Sequence, residues 1–272
     1  MRRYPCARIG KKGWQIRSPL PDLILERITG GIHYDVISGG GAVRDDYSRR
    51  FEEYALRYLV AMMPGLQAVP ERSCKIARNR FETPDIVAEP QPGHGVALAI
   101  ECKASRMSFS ARYADEPASD RGYDDIAKAV FQLWRFFSHC RHGLTGQAAR
   151  DDAVGLVLTL DSWMVMGNAL FEEVFARAEV HAARDPQIEA QDRRPIAFCS
   201  ITDLESACAI GSADTLLAAL RTAAMPTSRG GYLSAIHCQA NPEVAERKYP
   251  FDDLATYLPW WGKLNRPTPR AN

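Results

Sequence analysis

The sequence predicts a mixed α/β domain, with a central β-sheet and helices on both of its sides. Three short β-prone runs follow an amphipathic helical pattern in the first third of the chain. Two near-continuous apolar runs come later, at residues 153–160 and 195–201, as in strands that are buried on both faces. Helical patterns separate these runs. Apolar residues are 46% of the 272, which is enough for a sizeable core.

The first helix is predicted for residues 47–63, where an apolar stripe recurs at helical spacing and Pro64-Gly65 ends the pattern. Residues 1–46, rich in proline and glycine, are predicted to be a loop-rich N-terminal segment. Strands are predicted at 72–80, 84–88 and 96–104. The turn-like segment EPQPGHG at 89–95 indicates that the last two strands form a hairpin.

The second half alternates helices and buried strands. Helices are predicted at 124–139, 167–183 and 213–222, with strands at 153–160 and 195–201 between them. Another helix is predicted to begin at Thr202, which acts as its N-cap, with Glu205 completing a capping box. The core domain is thus expected to span 47–225. Residues 226–272 are expected to be an extension that packs on the core, with Trp260-Trp261 as an anchor.

Composition and motifs exclude several classes of protein. The net charge is only +1, so any nucleic-acid binding must come from a local patch. The seven cysteines form no CxxC pair, which favours reduced thiols and a cytoplasmic protein. No apolar run has the length of a membrane span, and no secretory signal is recognisable. The chain also lacks the HExxH and GxSxG motifs of zinc peptidases and serine hydrolases.

Two carboxylates and a lysine stand out at the ends of the second and third predicted strands. Asp85 follows Pro84, while Glu101 and Lys103 point to the same face of their strand and Cys102 points to the other. Burying such charged groups lowers the stability of a fold unless they form ion pairs, so buried charges are expected to be paired or to serve a function. Asp85 and Glu101 are suitable ligands for a divalent cation. A competing interpretation makes Asp85 a turn residue and Glu101–Lys103 an exposed ion pair at a sheet edge.

The segments Pro84-Asp85 and Glu101-Cys102-Lys103 resemble the motif of the PD-(D/E)xK nuclease superfamily, which has a restriction-endonuclease-like core. The resemblance covers residues 47–160, and the order of predicted elements agrees with it. It implies a catalytic set of Asp85, Glu101 and Lys103. It also implies a Mg²⁺ or Mn²⁺ ion held by Asp85, Glu101 and the backbone carbonyl of Cys102. Lys103 would orient or deprotonate the attacking water, or neutralise the transition state.

The superfamily often adds an acid from the helix before the sheet. Glu52 is preferred, because it shares a side with Ala55 and Leu59, whereas Glu53 shares its side with several arginines. Gln132 lies where RecB-like branches carry a glutamine that is followed four residues later by tyrosine. Here the fourth residue is Phe136, so half of that motif is present.

Two further cations on the same stripe, Lys128 and Arg135, are candidates for phosphate contacts. A solvated helix face explains them equally well. The polar segment 105–121 is expected to be a loop beside the site.

The resemblance implies a nuclease that acts on DNA, with RNA as a possible substrate, in restriction or phage defence. A homodimer or a partner protein of a defence system would suit that role. The alternative is a catalytically inactive nucleic-acid-binding or assembly protein that keeps the nuclease fold.

Overall fold

The computed structural model describes residues 6–9, 15–18, 20, 24, 31–76, 79–104, 121–162, 168–243 and 245–251. The chain divides into two compact units, Met1–Glu53 and Tyr54–Asn272. In the first unit, strands β1 (Ala7–Ile9) and β2 (Gln15–Arg17) pair antiparallel. Helix α1 (Ile32–Ser38) ends before Gly40, whose φ of +88° suits glycine and separates it from the next helix.

Helix α2 (Gly41–Met62) begins in the first unit and ends in the second. It therefore starts six residues before the predicted residue 47. Together with α1, it gives regular structure to part of the segment that was predicted to be loop-rich. The predicted stripe is confirmed, because Phe51, Ala55, Tyr58, Leu59 and Met62 are all buried.

The second unit contains a five-stranded mixed sheet, which confirms the α/β class. Its strands are β3 (Gln67–Pro70), β6 (Ile86–Glu89), β7 (Val96–Lys103), β8 (Ala149–Thr159) and β9 (Ile196–Ser200). They lie in the order β3-β6-β7-β8-β9. The pairs β3–β6 and β6–β7 are antiparallel, and the pairs β7–β8 and β8–β9 are parallel. The central strand β7 is buried along its whole length except at its last residue.

The single strand predicted at 72–80 is wrong. The chain there forms an antiparallel pair, β4 (Ser73–Ile76) and β5 (Asn79–Glu82), which is a separate two-stranded sheet. The exposed side chains of Arg72, Lys75 and Arg80 explain this outcome, since a strand carrying them could not enter the core. We call β4 and β5 together (residues 73–76 and 79–82) the ribbon.

Helices α3 (Arg121–Arg141) and α4 (Asn168–Ala182) pack against each other and share a core with one face of the sheet. The predicted inward side of α3 is confirmed. The core there contains Val87, Ala99 and Val157 from three strands, with Ile126, Val130, Leu133 and Phe137 from α3. Because Ala99 faces α3 and side chains alternate along β7, the strand also brings Glu101 and Lys103 to that helix.

The C-terminal helices are α5 (Ile201–Cys208), α6 (Ala213–Ala224) and α7 (Leu233–Ala240). The predicted cap of α5 is wrong: Ser200 is the N-cap, and its hydroxyl accepts a hydrogen bond from the Asp203 backbone amide. Strand β9 runs directly into the helix without a loop, so its last residue takes the capping role. Glu205 instead accepts a hydrogen bond from the Tyr54 hydroxyl.

Asp203 caps α7 by accepting hydrogen bonds from the backbone amides of Leu233 and Ser234. Helix α7 in turn contacts α5 and α6. The predicted anchor Trp260-Trp261 lies outside the described residues, and so do residues 105–120 of the loop predicted at 105–121. The last residue of that predicted loop, Arg121, begins α3. Within the described ranges, no helix combines the length and apolar character that crossing a membrane requires. None of the seven cysteines, all of which lie within the described residues, forms a disulfide.

Candidate active site

Asp85 and Glu101 meet because of the register of the β6–β7 hairpin. The last antiparallel pair is Ile86 with Ile100, so one step further places Asp85 opposite Glu101. The Asp85 carboxylate is fixed there, because its Oδ2 accepts a hydrogen bond of 2.6 Å from the Cys102 backbone amide. The two acids that lie sixteen residues apart in sequence therefore lie side by side at one end of the central strand.

Glu101 is buried on the central strand, with only 5% of its surface exposed. Lys103, two residues further along the same face, donates from Nζ to Glu101 Oε2 at 3.2 Å. The interpretation of an exposed ion pair at a sheet edge is therefore excluded, since β7 lies between β6 and β8. A buried acid with a lysine beside it is costly in a fold and marks a functional candidate.

Gln132 reaches this group from α3. Its Oε1 lies 3.4 Å from Lys103 Nζ and accepts a hydrogen bond from it. The Lys103 ammonium group thus lies between the carboxyl group of Glu101 and the side-chain amide of Gln132. The structure therefore brings together four residues that the sequence indicated separately.

Burial changes the proton affinity of each group. It raises the pKa of Glu101 to about 8, and the neighbouring Asp85 carboxylate adds to the effect, against the opposing influence of Lys103. Burial also raises the pKa of Asp85, more than the hydrogen bond from the Cys102 amide lowers it. For Lys103, burial would lower the pKa, but the carboxylates Glu101 and Asp85 outweigh it and the pKa is raised. Burial thus disfavours the charged forms of Asp85 and Glu101, and a bound divalent cation would offset that cost.

The carboxylates open into a cleft of about 730 Å³. The described residues that line it are Glu71, Arg80, Phe81, Glu82, Thr83, Pro84, Asp85, Glu101, Gln132, Arg135, Phe136, His139, Leu144, Asp185 and Gln187. Arg135, one of the predicted phosphate contacts, lies on this wall, and its guanidinium stacks on the Phe131 ring at 5.2 Å. Lys128 is exposed, pairs with Asp125 at 3.8 Å, and is absent from the described lining.

Two features of the cleft were missed from the sequence. Glu71 adds a carboxylate, and its charge also raises the pKa of Glu101. The ribbon forms one wall through Arg80, Phe81 and Glu82. The basic run from Arg72 to Arg80, which was assigned to a sheet strand, was the available signal for this wall.

Asp85 and Glu101 are the residues that could hold a divalent cation. Carboxylate oxygens suit Mg²⁺ and Mn²⁺, and a cation would relieve the cost of two desolvated acids side by side. Within the described ranges, no group of three or more His, Cys, Asp or Glu side chains is placed to hold a metal. A site with two carboxylates would fit magnesium, which keeps several of its waters. The Cys102 carbonyl as a further ligand stays a prediction.

The predicted third acid lies on α2. Glu52 is half-buried and Glu53 is exposed, as the helical periodicity indicated. Glu52 belongs to the N-terminal unit, and its role as a ligand stays a prediction.

Comparisons with protein-family models, with curated proteins and with solved structures find no match for this chain.

Proposed function

We propose that this protein is a metal-dependent nuclease that hydrolyses phosphodiester bonds, with DNA as its substrate. One observation carries the proposal: Asp85, Glu101, Lys103 and Gln132 converge at the end of a central strand, beside a cleft. A buried ammonium between an acid and an amide, next to a second acid, has no evident role in packing. It suits a reaction in which negative charge develops on an oxygen.

Each residue has a distinct part in the proposed chemistry. Asp85 and Glu101 would hold Mg²⁺ or Mn²⁺, which supplies charge neutralisation and lowers the pKa of a bound water. Lys103 would place its ammonium against the attacking water or a phosphate oxygen, with Glu101 fixing its position. Gln132 is a positioning residue, because it contacts Lys103 Nζ. Arg135 would contact the substrate backbone on the cleft wall.

The charge of the cleft supports a role for cations in binding as well as in catalysis. Its described lining holds five carboxylates and two arginines. Such a surface repels a phosphodiester unless its acids are neutralised by protons or by divalent ions. We therefore expect the protein to bind DNA poorly in chelator and well in divalent salt.

A cleavage assay tests the proposal. Plasmid and linear DNA are incubated with wild type, Asp85→Asn and Lys103→Met, in Mg²⁺, in Mn²⁺ and in EDTA. Glu172→Gln, which changes an exposed acid on α4, is the matched control for the acid, and Lys248→Met, which changes an exposed lysine, is the control for Lys103→Met. We expect metal-dependent cleavage in wild type and in both controls, and a loss of at least a hundredfold in the site variants.

The non-cutting alternative makes the opposite prediction. Binding of DNA that persists in Asp85→Asn and Lys103→Met, with no cleavage of DNA or RNA by wild type in either metal, would favour a binding or assembly protein. Cleavage that survives Asp85→Asn would refute the proposed site.

A further inference from the structure

The ribbon is rigidly joined to the candidate active site. Its base is closed by two hydrogen bonds, from the Thr83 amide to the Arg72 carbonyl at 3.0 Å and from the Arg72 amide to Thr83 Oγ1 at 2.9 Å. A third, from the Glu71 amide to the Asp85 carbonyl at 2.9 Å, ties the same base to the metal-binding candidate. Only two residues separate the end of β5 from Asp85. A ligand bound at the base of the ribbon would therefore lie close to Asp85.

The ribbon carries two cations at opposite positions of its strand pair, where like charges are unfavourable. Lys75 and Arg80 are directly opposite in the β4–β5 register, and both are exposed. Like charges at opposite positions destabilise a strand pair. Arg80 is partly compensated, through a bond of 2.6 Å to Ser73 Oγ and a distance of 3.6 Å to Glu82. An anion that follows the ribbon would offset the remaining repulsion.

An aromatic side chain lies beside these cations. Phe81, half-buried on β5, contacts His139 of α3, with 4.4 Å between the ring centroids and an angle of 53° between the planes. Both residues line the cleft. Burial, together with the charge of Arg135, lowers the pKa of His139, which favours the neutral ring. The wall therefore combines the cations Arg80 and Arg135 with two aromatic rings, the combination that single-strand binding sites use.

We propose that the ribbon guides a single-stranded segment of nucleic acid into the cleft, with an unpaired base stacked on Phe81 and His139 and phosphates on Lys75 and Arg80. The inference rests on the proposed function for cleavage of the bound strand, because it names the substrate of the same site. Phe81 and His139 reach a base only when its face is free. In a continuous duplex both faces are covered by neighbouring bases.

The size of the cleft supports the same choice. A volume of about 730 Å³ is typical of pockets that enclose a small molecule, on a scale of roughly 300–1,000 Å³. Such a cleft suits one or two nucleotides of a single strand. A single-stranded DNA, a frayed end or a flap would each present one.

The test measures binding by fluorescence anisotropy in Ca²⁺, to slow cleavage. Three labelled probes are compared: a single strand, a blunt duplex of the same sequence, and a single strand in which the central bases are replaced by abasic sites. The variants are Phe81→Leu, which keeps apolar bulk without a ring, Phe81→Trp, which keeps a ring, and Arg80→Ala. Lys248→Ala is the control, since it removes an exposed cation that is absent from the described cleft lining.

We expect wild type to bind the single strand at least tenfold more tightly than the duplex. Phe81→Leu should weaken single-strand binding about tenfold, leave abasic binding unchanged, and be rescued by Phe81→Trp. Arg80→Ala should weaken binding of the normal and abasic strands equally, because it contacts phosphate. Lys248→Ala should bind like wild type.

Equal affinity for duplex and single strand, or equal binding by wild type and Phe81→Leu, would overturn the inference. Metal-dependent cleavage of duplex plasmid would then still stand, so the proposed function would survive. Conversely, ring-dependent single-strand binding without cleavage in Mg²⁺ or Mn²⁺ would support the guide and refute the nuclease. Phe81→Leu is checked by circular dichroism. If it is misfolded, the test uses wild type alone, comparing normal with abasic single strands, and equal affinity for these overturns the inference.

Discussion

Replacing Glu101 by glutamine is expected to stabilise the metal-free protein at neutral pH. Glu101 is buried, and its pKa is raised to about 8 from an ordinary value of 4.5. The folded state therefore binds a proton that the unfolded state releases, and stability falls as pH rises from about 4.5 to about 8. Glutamine keeps the shape of the protonated acid and has no such cost.

The magnitude follows from the difference in pKa. At pH 7 the unfolded chain ionises Glu101, while the folded chain keeps it largely protonated. Keeping that proton costs about 3 kcal/mol at 1.36 kcal/mol per pH unit. For a unit of this size, that amount corresponds to a rise in Tm of about 6–12 °C in Glu101→Gln. The difference between variant and wild type should vanish near pH 4 and reach a plateau above pH 8.

Thermal unfolding in EDTA, followed by circular dichroism from pH 4 to pH 9, measures this effect. Glu172→Gln, on the exposed side of α4, is the control and should not change Tm. Adding Mn²⁺ should raise the Tm of wild type and leave Glu101→Gln nearly unchanged. A variant that is less stable than wild type at pH 7, or a difference that does not depend on pH, would refute the description of Glu101 as a destabilising acid.

Three more substitutions have defined outcomes. Gln132→Leu should lower kcat about tenfold with little change in KM and in Tm, because it removes the hydrogen bond that positions Lys103; a normal kcat would contradict this role. Asp192→Asn should cost roughly 3 kcal/mol in urea unfolding at pH 7, since Asp192 is 2% exposed and accepts two bonds from Arg141. Although burial acts to raise it, the pKa of Asp192 is lowered by these bonds. The stability that Asp192 contributes should therefore be lost only as pH falls below about 4. A cost of Asp192→Asn that stays constant down to pH 2 would contradict this prediction. Gly155→Ala should cost about 1–3 kcal/mol, because a Cβ there would press on Leu133 and Ile196, and wild-type stability would show that the core yields.

Much of the sheet and the heart of the site could be predicted from local pattern. The strands β7, β8 and β9 are near-continuous apolar runs, and α3 shows a regular apolar stripe. The alternation of side chains placed Glu101 and Lys103 on one face, and the structure shows them in contact. In these segments burial and periodicity indicate the same element, so the sequence is unambiguous.

The other features of the fold and site depend on contacts between residues that are distant in sequence, which a local pattern does not show. The short strand β3, half-exposed at its centre and ending at Pro70, pairs only at one edge and leaves little periodic signal. The ribbon was mistaken for a core strand, because β-prone residues occur in both. The Ser200 cap of α5 depends on how β9 meets the helix, and Glu71 enters the cleft only through the pairing of the chain near Asp85.

Binding of Mn²⁺ tests the central claim most directly, namely that Asp85 and Glu101 form a cation site. Calorimetric titration at pH 7.5 compares wild type with Asp85→Asn, Glu101→Gln and the control Glu172→Gln. We expect wild type and Glu172→Gln to bind Mn²⁺ with the same affinity and with release of a proton, because a cation displaces the proton that burial keeps on Glu101. Asp85→Asn and Glu101→Gln should lose at least tenfold in affinity. Equal Mn²⁺ binding by all four proteins would contradict the account.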